Sequence, residues 1–197
     1  MYTSGQVHGL GTDSTIKEVL DKWYKENLLD YADQISKDAG FCGDRQPSTS
    51  SSSSNGSGGT GTTTTYYGAR YRLYSKKTPT FECDDAKNDL YTVSGSSKGN
   101  KALDYPIGLI TADEVAYAGG VYATNNTGYY LYTNQYYWTM SPFSYDSGNA
   151  RVFLMYSGGY FGGLNVYLNY GMRPVINLSS DVTAKSGNGT SSTPYEI

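Results

Sequence analysis

Histidine is almost missing from this chain: His8 is the single one among 197 residues. A hydrolase that pairs a nucleophile with an imidazole base needs a His in its folded body, and His8 stands in a Gly-rich N-terminal stretch, which argues against a triad of that kind. Cysteine is nearly as scarce. Cys42 and Cys83 are too few and too far apart for a zinc site of the paired-Cys type, and no metal or cofactor is implied. Clusters of Lys or Arg are absent and the net charge is only -3, which removes the counterion release that drives most non-specific nucleic-acid binding. Nucleic acid is therefore not an expected partner. No apolar run approaches the roughly 18 to 20 residues needed to cross a bilayer, so this segment is not expected to insert in a membrane. The first twenty residues also lack the basic-then-apolar order of a signal peptide, so any export signal or anchor is expected outside this sequence.

Leu, Ile, Val and Phe together number only 33 of 197, a poverty that in a highly charged chain would suggest disorder. The low net charge and 22 Tyr reverse that inference, because each ring supplies a large apolar body with a polar tip. The length suits one domain, expected over 13–197, after a flexible stretch at 1–12. For the two cysteines, a single disulfide or two free thiols are the states left open. The disulfide is favoured because it would close a loop of about 40 residues containing a long flexible tract, a constraint worth roughly 4 kcal/mol in the chain-entropy model.

Ser14 to Asn27 has the pattern of an amphipathic helix, with Ile16, Val19, Leu20, Trp23 and Tyr24 on one stripe. Thr15 and Glu18 stand at capping-box spacing, with Asp13 and Ser14 as rival caps. Leu28, Tyr31 and Ile35 continue the stripe until Gly40. Residues 47–65 contain only Pro, Ser, Thr, Asn and Gly, and so predict a low-complexity loop with nothing to give a core. Tyr66 to Tyr74 reads as a strand. The polar turn DDAKND after Cys83 lacks the alternating oxygen ligands and the Gly of a calcium loop. Ile107 to Ile110 is a short apolar run, and Thr111 with Glu114 forms a capping box for a helix that Gly119 and Gly120 end.

From Tyr129 to Tyr170 the chain carries ten Tyr among Gly, Asn and Ser. Arg151 to Tyr156 and Leu164 to Tyr170 alternate in strand fashion, so a hairpin is expected with GGYFGG as its turn. The two-residue period would send Leu164, Val166 and Leu168 to the core and Asn165, Tyr167 and Asn169 to a binding surface. Tyr supplies contact area with few rotatable bonds, and Ser, Gly and Asn supply adaptable hydrogen bonds. The expected ligand-binding set is Tyr145, Asn149, Arg151, Phe153, Tyr160, Phe161, Asn165, Tyr167 and Asn169. A final strand is expected at Val175 to Leu178.

The runs YPIGLITADEVAYAGG, YYLYTNQYYWTMSP and GYFGGLNVYLNYGMRPVINL resemble the C-terminal portion of a group of surface proteins of gut Firmicutes. These are in turn similar to C-type-lectin-like domains of the formylglycine-generating-enzyme type. WTMSP and GMRPVINL are the most specific parts. Upstream, DSTIKEVLDKWY, FCGDR, TYYGARYRL and FECDDAKNDLYTV extend the resemblance over residues 13 to 178. It implies an α+β fold with two helices, an irregular antiparallel sheet and long loops. It also implies that Arg173 is a structural side chain holding irregular backbone, with Trp138 packed beneath it, while Pro142 and Pro174 rigidify strand ends. Variable proteins of diversity-generating retroelements share this fold, and the stretch from Phe143 to Tyr170 has the composition of their mutable region. The formylglycine-generating activity is not expected, because its cysteine pair lies near the end of the domain and nothing after Cys83 can replace it.

These features lead to a non-catalytic domain displayed outside a bacterial cell, binding a protein or carbohydrate ligand on another cell or host surface. Two other classes stay open. A pilus or stalk module could bury the Tyr-rich hairpin against a neighbour, and a glycan-active hydrolase could use a carboxylate pair drawn from Asp104, Asp113, Glu114, Asp146 and Asp181.

Overall fold

The structure, a computed structural model, describes residues 13–48, 64–94, 102–146, 148–190 and 192–197. The expected flexible stretch at 1–12 and most of the 47–65 insert lie outside the described residues. Helix α1 (Thr15–Asn27) begins at Ser14, whose hydroxyl accepts the backbone N–H of Lys17, so Ser14 is the cap and the Thr15/Glu18 pair is not. A 3-10 turn (Leu29–Gln34) leads to Ile35. The short strands β1 (Phe41–Cys42) and β2 (Thr65–Tyr66) flank the insert. Helix α2 (Gly68–Arg70) follows and runs into a π-type turn (Tyr71–Lys76). Then come α3 (Ala86–Asp89), β3 (Leu90–Tyr91), β4 (Gly108–Leu109), α4 (Ala112–Tyr117) and β5 (Val121–Tyr122). The long strands β6 (Tyr137–Asp146), β7 (Asn149–Met155) and β8 (Tyr160–Asn165) form the centre, and β9 (Gly171–Met172) and β10 (Pro174–Val175) close the series.

The main sheet runs β2-β6-β7-β8-β5, with β9 also on β6; β5 pairs with β8 and β9 with β6 in parallel, the rest antiparallel. The fold is thus α+β. The strand period is the expected one, but both faces of the sheet are covered. On one face Tyr137, Phe143, Phe153, Met155 and Phe161 meet Ala69, Leu73 and Val115. On the other, Trp138 and Leu154 meet Leu20, Tyr24, Ile35, Ile107 and Leu109. Helix α4 therefore packs on one side and α1 on the other.

Three local expectations are corrected. Tyr66 to Tyr74 is helical beyond Tyr66, because Ala69 and Leu73, four residues apart, both enter the core and Lys77 ends the turn in the left-handed region at φ 56°. The hairpin turn is Tyr156 to Gly159, where Gly159 adopts φ 79° and donates to Tyr156 O at 2.9 Å, and YFGG belongs to β8. A Cβ on Gly163 would fall inside the ring of Phe143, so that glycine serves packing rather than turning. The insert also contributes more than expected, since Ser48 and Thr65 at its two ends are buried and Pro47 bridges Tyr67. At the last expected strand, β10 pairs with β4, Ile35 bridges Leu178, and Ser36 N–H donates to Asn177 O.

Cys42 and Cys83 are disulfide-bonded, with Cα atoms 5.6 Å apart and a sequence separation of 41. Beside the bond, Asp89 binds the Arg45 backbone N–H and guanidinium at 2.6 Å each, joining the FCGDR and DDAKND segments. Arg72 gathers three carboxylates: Asp44 at 2.5 Å, Asp84 at 2.8 Å and Asp113 through two bonds of 3.0 and 2.8 Å. The disulfide loop, the π-type turn and the start of α4 are thereby tied together.

Candidate functional site

The C-terminal strands carry an aromatic chain on the face that α1 covers in part. Tyr160 stacks on Tyr156 at 4.4 Å, Tyr156 meets Tyr136 edge-on at 5.6 Å, Tyr136 stacks on Tyr170 at 5.1 Å, and Tyr170 meets Trp138 at 5.7 Å. Local backbone explains the geometry. Tyr156 and Tyr160 flank the tight turn, where Tyr156 N–H donates to Tyr160 O, and Gly162 leaves room beside the Tyr156 ring. Gly171 pairs with Tyr137 in β9, which brings Tyr170 alongside Tyr136. Burial, then Tyr160, Tyr170 and Tyr136, pushes the Tyr156 hydroxyl above the ordinary phenol range, so that ring stays neutral at physiological pH.

The chain opens into a cleft of about 770 Å³. Its walls are Ile16, Val19 and Leu20 of α1, Trp138, Met140 and Val152 of the sheet, and Val166, Leu168, Tyr170 and Met172 of the loop after β8. Tyr170 and Trp138 belong to both the cleft and the aromatic chain. Val19, Tyr136, Val166 and Tyr170 are exposed, a grouping of large apolar side chains that a lone surface residue would not make. An open apolar concavity with hydroxyls and amides at its rim can take an apolar or ring-bearing ligand and orient it by hydrogen bonds.

The residues expected to bind ligand divide among several places. Phe153 and Phe161 are corrected to core: Phe153 is 0% exposed and packs on Phe143 and Phe161, because the face expected to meet solvent lies under α2 and α4. Val166, expected inside, is 50% exposed and Tyr167 70%, because β8 ends at Asn165 and the strand period stops there. Arg151 Nε donates to Asn165 Oδ1 at 3.1 Å, and Asn165 Nδ2 donates to the Tyr167 hydroxyl at 3.0 Å, making one polar relay. Asn169 lines the cleft and Tyr160 begins the aromatic chain. Tyr145 and Asn149 stand apart, near the β6–β7 turn.

Arg173 donates to Leu131 O at 2.7 Å and to the Thr133 hydroxyl at 3.3 Å, bracing the segment before β6. The ring beneath its guanidinium is Tyr137, at 4.5 Å, while Trp138 faces the opposite side of the sheet. That corrects the expected Trp138 packing. Sequence reasoning missed Tyr136, Tyr156 and Tyr170 as individual residues, although the density of Tyr in that stretch was the available signal.

A second, smaller cavity of about 240 Å³ lies by the disulfide, lined by Asp44, Arg72, Asp113 and Glu114 among others. Its acids have structural partners: Asp113 also accepts Thr80 N–H at 3.0 Å, and Glu114 completes the Thr111 capping box. Burial drives Asp44 up to about 7 despite the opposing pull of Arg72. For Arg72, burial works against the charge, yet its bonds to Asp113 and Asp44 outweigh it and hold the guanidinium protonated. Among the described residues no group of three or more His, Cys, Asp or Glu side chains is placed to hold a metal, and no helix is long and apolar enough to cross a membrane.

Compared with known proteins, the chain matches no family model, no curated protein and no solved structure.

Proposed function

We propose that this chain is a non-catalytic recognition domain, built on a C-type-lectin-like scaffold of the formylglycine-generating-enzyme type and displayed outside a bacterial cell. Its ligand is a protein or glycan surface. The observation that carries the reading is the five-ring aromatic chain from Tyr160 to Trp138 opening into the apolar cleft beside α1. Rigid aromatic anchors next to Asn and Ser groups are the vocabulary of binding surfaces. The disulfide supports a place outside the reducing cytoplasm.

If the stretch from Phe143 to Tyr170 is diversified by a retroelement, the changes have to spare Phe143, Phe153, Leu154, Met155 and Phe161, which are buried. A near-copy of the codons for 143–170 beside a reverse transcriptase, differing only at other positions, would support that origin. Recognition itself is tested by probing arrays of host and bacterial glycans and surface proteins with the purified chain and with Tyr136→Ala/Tyr170→Ala. A ligand bound by the natural chain and lost by the variant supports the reading. Equal binding by both removes the aromatic chain from it.

A further inference from the structure

Arg70 is the arginine whose guanidinium has no hydrogen-bond acceptor among the described residues. Arg45 and Arg72 bind carboxylates, Arg151 binds Asn165 and Arg173 binds Leu131 and Thr133. Arg70 instead lies 3.7 Å over the ring of Tyr66, with the rings of Tyr74 and Phe143 at 5.2 and 5.4 Å. Its Nε is buried without a partner. A buried N–H is ordinarily paired. Aromatic faces offset part of the cost, but they leave the in-plane donors unused.

The surroundings extend the incompleteness. Strand register places Tyr66, Ser144, Arg151 and Asn165 in one row across β2, β6, β7 and β8. Ser144 Oγ, in that row, is also buried without a partner among the described residues. Tyr122 lies 5.0 Å from Tyr74, and burial raises its hydroxyl despite the opposing charge of Arg70. Tyr74 is exposed. A fixed positive fork, hydroxyls and an exposed aromatic face therefore converge on the sheet face opposite the cleft.

We propose that Arg70, with Tyr66 and Tyr74, forms a second binding site for a carboxylated saccharide residue, the carboxylate pairing with the guanidinium and the sugar ring lying on Tyr74. A carboxylate offers two coplanar oxygens to the fork of an Arg, a match that a neutral sugar cannot make. The exposed Tyr74 ring beside the guanidinium gives a sugar ring a face to stack on, which an acidic peptide side chain would leave unused.

The test is a titration of the isotope-labelled chain at constant ionic strength, followed at the backbone amide resonances of Tyr66, Ala69 and Ser75, which every variant retains, and in the natural chain also at the Arg70 Nε–H. The probes are galacturonate, galactose and an N-acetylated, amide-capped aspartate. A saturable shift with galacturonate and none with galactose is expected, weakened at least tenfold in Arg70→Met, which keeps the stem over Tyr66, and in Tyr74→Ala, which lies outside the core. Tyr136→Ala/Tyr170→Ala should leave this shift unchanged, so the two sites stand or fall separately. Equal responses to galacturonate and galactose would overturn the proposal. So would saturation by the capped aspartate without galacturonate, which would make the partner an acidic protein, or undiminished galacturonate binding in a folded Arg70→Met.

Discussion

Replacing Arg72 by Met removes the one guanidinium shared by three carboxylates while keeping an apolar stem of similar reach. The cost divides by burial. Asp84 has a side chain 48% exposed and loses a pair worth about 0 to 1 kcal/mol. Asp113 and Asp44, at 3% and 5%, would be left as buried charges, and breaking a buried pair by removing one partner costs about 3 to 5 kcal/mol. At pH 8, above its raised value of about 7, Asp44 is mostly ionised and so contributes to the loss together with Asp113. We therefore expect Arg72→Met to lose about 3 to 4 kcal/mol at pH 8. The loss should shrink toward pH 5, where Asp44, raised to about 7, is protonated and leaves no charge to abandon. Urea unfolding followed by far-ultraviolet circular dichroism at both pH values measures it. A loss under about 1 kcal/mol at pH 8, or a larger loss at pH 5 than at pH 8, would refute the burial argument.

Asp44 has a folded pKa raised from 3.8 to about 7, so its contribution to stability is full below about pH 4 and is lost as pH rises through 7. Asp44→Asn should accordingly gain on the natural chain by about 4 kcal/mol between pH 4 and pH 8, and a pH-independent difference between the two melting curves would contradict this. Converting both Cys42 and Cys83 to Ser should cost about 4 kcal/mol by the entropy of a 41-residue loop, seen as a lower urea midpoint; a change under about 1 kcal/mol would place the constraint elsewhere. Gly163→Ala should destabilise by about 1 to 3 kcal/mol through overpacking against Phe143, and a neutral result would show that the ring moves aside freely.

Local signals were legible wherever one short segment decides its own structure. Helix α1, the Thr111/Glu114 capping box and the strand character of Arg151 to Met155 all follow from spacing within a few residues, whereas the choice of Ser14 over its rival caps did not. Burial was not legible in the same way. Period-2 alternation says that Phe153 and Leu154 point oppositely, but whether one face or both are covered depends on α1 and α4, which are distant in sequence. The same limit applied at the end of β8, where one early turn put Val166 outside. The site was visible as a composition, the Tyr-rich stretch, and invisible as an arrangement. Tyr136 and Tyr170 stack only because β9 pairs with the start of β6. Arg70 gave no signal, since its lack of an acceptor is a property of its neighbours in space.

The proposed recognition function places the ligand along the Tyr160-to-Trp138 chain and in the cleft beside α1. The direct measurement is a heteronuclear NMR titration of the labelled chain with the tightest ligand found on the arrays. The largest shifts are expected at Tyr136, Trp138, Tyr156, Tyr170 and Val19, with little change at α4, on the other side of the sheet. Shifts centred on α4 or on the acid cluster around Arg72, with the five rings unmoved, would contradict it.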